Sequence, residues 1–88
     1  MRTPQELQVI CRGFANRHRI RMLTLLSQKP NLSVSELSDT LKISFRTASE
    51  HTRRLANAGL IKKSYNIQQV EHTLTPLGKR VVTFLREL

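Results

Sequence analysis

The stretch SVSELSDTLKISFRTASEHTRRLANAGL, residues 33–60, holds two helix starts and one helix stop within a short span. Ser33-Val34-Ser35-Glu36 is a capping box, in which the serine hydroxyl accepts from the amide three residues on and the glutamate reaches back to the serine amide. It opens a short helix through Thr40, with Val34, Leu37 and Leu41 turned inward. Lys42-Ile43-Ser44 reads as a tight connection whose Ile43 plugs the core and whose Ser44 caps the next helix. That helix spans Phe45 to Ala58, and Gly59 stands where a left-handed C-terminal cap is expected. Helical periodicity puts Ala48, Thr52 and Leu55 on its inner face and Arg46, Ser49, Glu50, Arg53 and Asn57 on the outer one. Two helices therefore meet at a turn, the second presenting a polar, partly basic side.

Working outward, Thr3-Pro4-Gln5-Glu6 is a further capping box with proline at the first helical position. The helix it starts runs to about Ala15, with Leu7, Ile10, Cys11 and Phe14 in one apolar stripe. Asn16 caps a second helix, Arg17 to Gln28, and Ile20, Met22, Leu23, Leu25 and Leu26 make its apolar surface broad enough for a central position. Lys29-Pro30-Asn31 ends it. On the other side, Leu60–Tyr65 and Val70–Leu74 favour strand and flank Asn66-Ile67-Gln68-Gln69, a β-hairpin pattern. Thr75-Pro76 starts a last helix, residues 76–88, with Leu77, Val81, Phe84, Leu85 and Leu88 at helical spacing. The expectation is a mostly α fold with one small hairpin, a winged helix-turn-helix, as a single domain over residues 1–88. Its helix-turn-helix covers 34–58, its wing 60–74, and its terminal helices 4–15 and 76–88.

Charge narrows the partner. The 88 residues hold 15 Lys+Arg against 6 Asp+Glu, a net charge of +9. Such an excess favours phosphate polyanions through counterion release. Charge alone does not separate DNA from structured RNA or an anionic membrane surface. No apolar run approaches the ~20 residues that span a bilayer, so the expectation is a soluble, cytoplasmic protein without a membrane partner. One cysteine and three scattered histidines offer neither an internal disulfide nor a zinc cluster, and no cofactor is expected. A Gly-rich phosphate loop, a nucleophile elbow and a paired-carboxylate site are all missing, which argues against an enzyme.

Particular residues carry a family resemblance. Arg19-Ile20-Arg21-Met22-Leu23-Thr24-Leu25-Leu26 resembles the R-L-x-I-L-x-L-L helix of ArsR-type repressors, and Ser33-Val34-Ser35-Glu36-Leu37 resembles their s-V-x-E-L start. Ser49, His51, Leu55, Ala58, Gly59 and Leu60 are similar to the family's S-x-H-x-x-x-L-x-x-A-G-L pattern. Leu74-Thr75-Pro76-Leu77-Gly78 resembles the L-T-x-x-G that follows the wing in MarR-type regulators. The resemblance implies a DNA-binding transcription regulator, a repressor, acting as a homodimer on a pseudo-palindromic operator. The chain departs from the family's metal sensors: the short helix has no cysteine pair, and the last helix has no histidine, cysteine or aspartate. The wing turn also lacks arginine and glycine.

A helix in the major groove reads base edges with its outward side chains while neighbouring cations hold phosphates. The residues assigned to that task are Ser44, Arg46, Thr47, Ser49, Glu50, Arg53, Arg54, Lys62 and Lys63, with Glu50 able to accept from a cytosine amino group. Between Lys42 and Lys63 stand six Lys/Arg and one acid, Glu50. Phe45 is expected as a partly buried wedge beside the turn, ahead of a contact with a thymine methyl. His51 is expected to pack, not to ligate. The cluster Arg17, His18, Arg19 and Arg21 fits a phosphate contact or a solvated edge equally. The dimer surface is expected on the terminal helices, through Leu7, Ile10, Cys11 and Phe14 and through Leu77, Val81, Phe84, Leu85 and Leu88. The competing function is a winged-helix module that binds RNA or protein in an assembly without operator recognition.

Overall fold

Helix starts are set by side chains that satisfy otherwise orphan amides. In the computed structural model, which describes Met1–Leu88, the Thr3 hydroxyl accepts from the Glu6 amide at 3.2 Å while the Glu6 carboxylate accepts from the Thr3 amide at 2.8 Å. The Ser33–Glu36 box closes in the same way at 3.1 and 3.0 Å. Asn16, Ser44 and Thr75 cap the remaining helices. The elements are α1 (Pro4–Phe14), α2 (Arg17–Gln28), α3 (Val34–Leu41), α4 (Phe45–Asn57), β1 (Ile61–Tyr65), β2 (Val70–Leu74) and α5 (Pro76–Arg86). This is the expected order. α1, α4 and α5 each stop one or two residues short of the sequence reading, and Leu60 lies outside the strand, fully buried.

α2 is central, touching every other helix and β2. Its Met22, Leu23 and Leu26 meet Leu37 of α3, Leu55 of α4 and Leu60 in one apolar cluster, against which the half-buried Ile43 of the α3–α4 turn packs. Lys42 makes that turn at φ 57 and ψ 48, and Gly59 ends α4 at φ 77. The hairpin is antiparallel, with Ile61 opposite Leu74 and Lys63 opposite His72. Leu32, in the loop before α3, also bridges to His72: the His72 amide donates to the Leu32 carbonyl at 2.8 Å. The wing is thereby tied to the helix-turn-helix by a single-residue bridge that the sequence reading missed.

α5 turns Gly78, Val81 and Val82 inward, so its buried face is rotated from the one drawn through Leu77, Phe84 and Leu88. Val81, at 7% exposed, belongs to the core, which corrects its assignment to a dimer surface. Gly78 is small for a reason: a β-carbon there would overlap the Leu60 carbonyl oxygen. Glycine-to-alanine normally stabilises a helix interior by about 1 kcal/mol. Here the overlap is with backbone, so Gly78→Ala is expected to destabilise, by about 1–3 kcal/mol. A urea midpoint below that of the wild type checks the sign.

Candidate nucleic-acid interface

α4 is amphipathic in a particular way. Ala48, Thr52 and Leu55 are buried, and the opposite side carries Arg46, Ser49, Arg53, Arg54 and Asn57, all exposed. Ser44 is engaged as the cap, accepting from the Thr47 amide at 3.0 Å and donating to the Thr47 hydroxyl at 2.9 Å. Ser44 and Thr47 are therefore occupied at the helix start, whereas Arg46 and Ser49 are left outward. Both salt bridges of the molecule end on Glu50, which accepts from Arg53 at 2.6 Å and from Arg54 at 3.0 Å. Those hydrogen bonds hold the Glu50 carboxyl below its usual range. All three side chains are about half exposed, so these bonds are weak and exchangeable.

A cleft of about 420 Å³ lies between α4, the start of α3 and the wing. Phe45, Ser49 and Arg53 line it from α4, Ser33 and Ser35 from the α3 start, and Lys63 from β1. The structure thus brings Lys63 to the same opening as Arg53. Lys62 is exposed but alternates to the other face of the hairpin, away from this cleft. The wing turn closes on itself, with the Asn66 side chain accepting from the Gln68 and Gln69 amides at 2.8 Å each.

Phe45 is 59% exposed, which corrects the expectation of a partly buried wedge. Its ring stands outside the core at the first position of α4, while Ile43 packs against the core as expected. The cluster near the start of α2 divides. Arg17 and Arg21 are exposed, but Arg19 is only 9% exposed and donates to the Arg12 carbonyl at 3.3 Å, joining α1 to α2. His18 packs against His51 with ring centroids 5.4 Å apart and the rings tilted by 40°, so His51 packs as expected. The Nδ1 atoms of both rings are buried without a partner. Cys11 is exposed on α1.

Two histidines give the fold a pH dependence. His72 is 1% exposed, with Nδ1 3.0 Å from the Leu32 carbonyl. Burial holds its imidazole below the ordinary histidine value, with Lys63 adding to the effect and the Leu32 carbonyl opposing it. His51 is lowered too, by burial and then by Arg19, His18 and Arg54, against Glu50. The unfolded chain takes up these protons as pH falls through about 6.5 and the folded one only lower, so stability is full above that value and is lost below it. The thermal midpoint is expected to fall between pH 7.5 and 5, and to fall less in His72→Gln.

Residues 16–63 match the bacterial regulatory protein, arsR family. No curated protein sequence matches the chain. Among solved structures, HlyU from Vibrio cholerae superposes with a TM-score of 0.83 at 30% identity, over 94% of this chain and 90% of that one. Mb0332 from Mycobacterium bovis, a homodimeric winged helix-turn-helix DNA-binding domain, gives 0.85 at 18% identity, over 93% and 76%. The transcriptional repressor BigR from Xylella fastidiosa gives 0.78 at 23%, over 92% and 83%. At those lower identities the last two speak to the fold alone. No helix is long and apolar enough to cross a membrane.

Proposed function

This chain belongs to the ArsR family of bacterial regulatory proteins, DNA-binding transcription regulators and not enzymes, and we propose that it is a repressor acting as a homodimer on a pseudo-palindromic operator. The observation that carries the reading is the outward side of α4, where Arg46, Ser49 and Arg53 stand exposed above a buried apolar face and Lys63 of the wing opens on the same cleft. α4 enters the major groove. Arg46 and Arg53 take guanine edges or phosphates, Ser49 and Glu50 add short polar contacts, and Arg54 and Lys63 hold the backbone, while Lys62, on the other face of the hairpin, adds only to the surrounding positive potential. Ser44 and Thr47 secure the helix start and approach the duplex with it. Two such helices on a two-fold axis read half-sites about 10 bp, roughly 34 Å, apart.

The two-fold contact is assigned to α1 and α5. Leu7 and Cys11 on α1, Phe84 on α5 and Leu88 just beyond it are exposed, with Phe84 at 52%. Ile10, Phe14, Leu77 and Leu85 are half-buried against the core and form the margins of that surface. A homodimer and repression are carried over from the Mycobacterium bovis domain and the Xylella fastidiosa repressor that share this fold; the choice of α1 and α5 rests on their exposed apolar side chains. Phe84→Glu places a charge in the contact and is expected to give monomers, with operator binding weakened about a hundredfold or more as the second half-site is lost. Sedimentation and titration check both, and a monomeric wild type would end the dimer argument.

The function is tested by selecting bound duplexes from a random pool. Enrichment of a two-fold symmetric sequence is expected. Tighter binding to structured RNA than to any duplex at matched salt would favour an RNA-binding module instead.

A further inference from the structure

We propose that Phe45 is a reader of 5-methylpyrimidines, packing its ring against the 5-methyl group of a thymine in the major groove. The inference rests on the placement of α4 in DNA proposed above and adds what that reading lacks, an apolar contact with a defined chemical target.

Three observations lead there. Phe45 is the only large apolar side chain exposed on the helix-turn-helix, residues 34–58; the others lie on α1, on α5, in the wing and at the two chain ends. It occupies the first position of α4, and in helix-turn-helix docking the N-terminal residues of the second helix meet base edges. Its neighbours are polar or cationic: with Arg46, Ser49 and Glu50 it frames one shallow depression, and with Arg53 and Lys63 it lines the cleft toward the wing.

That setting selects the occupant. An apolar protein surface would cover the ring only by also stripping water from Arg46, Arg53 and Lys63 without supplying a counter-charge. A duplex supplies phosphates to the cations and, among major-groove base edges, one kind of apolar group, the thymine methyl. 5-Methylcytosine carries the same methyl at the same place. The protein is therefore sensitive to cytosine methylation at the position Phe45 faces, binding the methylated form more tightly.

The test uses the full chain and its selected duplex, with each thymine replaced in turn by deoxyuridine, which removes the methyl and leaves every hydrogen-bonding group. Wild type is expected to lose about three- to tenfold in affinity at one position in each half-site. Phe45→Ala is expected to bind more weakly overall and to be indifferent to the same replacement. A cytosine at that position is expected to bind better methylated than unmethylated with wild type, and equally with Phe45→Ala. Exposure of the ring makes Phe45→Ala compatible with folding, which circular dichroism verifies; Phe45→Leu serves as the second variant, keeping part of the methyl sensitivity. Intact duplex binding with no deoxyuridine effect, or with an effect that survives Phe45→Ala, would overturn the methyl contact and leave the DNA-binding reading standing. Failure to select any duplex would remove both.

Discussion

A protein carrying Arg46→Ala and Arg53→Ala together is expected to bind its selected duplex at least about a thousandfold more weakly than wild type while remaining folded. A side chain that reads a base is worth about 1–3 kcal/mol, and a two-fold dimer presents each arginine twice, so four contacts are lost at once. The fold is spared because both side chains are exposed and neither packs in the core. Arg53 does hold one protein contact, the 2.6 Å bond to Glu50. A half-exposed pair of that kind is screened by solvent and too weak to keep Arg53 from a guanine edge. Lys63→Ala behaves differently: it weakens cognate and scrambled duplexes alike and lowers the salt slope by about one per protomer, because a phosphate contact carries no sequence information. Titrations on both duplexes across a salt series separate the two behaviours. Unchanged affinity in the double arginine variant would remove α4 from the groove.

How far the sequence speaks depends on whether a signal is local. The capping boxes at Thr3 and Ser33, the Gly59 stop and the Ala48/Thr52/Leu55 face are all written within one or two helical turns, and each forms as read. Arg46, Ser49 and Arg53 are legible as outward for the same reason. What periodicity does not carry is the angle at which a helix meets its neighbours. α5 is rolled so that Val81 and Val82 go inward together, because Gly78 lets its backbone approach Leu60; a stripe drawn through α5 alone has no knowledge of that contact. Phe45 is misread similarly: its size suggests burial, but the first position of α4 leaves its ring 59% exposed. Arg19 looks like one more surface cation until α1 folds back and supplies the Arg12 carbonyl. The Leu32–His72 bridge joins residues forty apart and leaves no trace in either segment's pattern.

The steepest loss of stability is expected at Leu55. α4 is anchored by three buried side chains, and of these Ala48 and Thr52 are small, so Leu55 supplies most of the apolar area that fixes the helix to α2 and the rest of the core. Leu55→Ala removes that anchor and leaves a cavity in the same buried cluster as Met22, Leu23 and Leu60. Such substitutions cost about 2–5 kcal/mol, a large share of the ~5–15 kcal/mol that holds a domain together. For a chain of this size each kcal/mol shifts the thermal midpoint by about 4–8 °C, so a fall of roughly 8–40 °C is expected by calorimetry. The variant also separates support from contact. Below its lowered midpoint, Leu55→Ala should keep its preference among duplex sequences with weaker affinity, because every outward side chain is still present on a looser helix. A change in which bases are preferred would mean that the anchor also sets the angle at which α4 meets the groove.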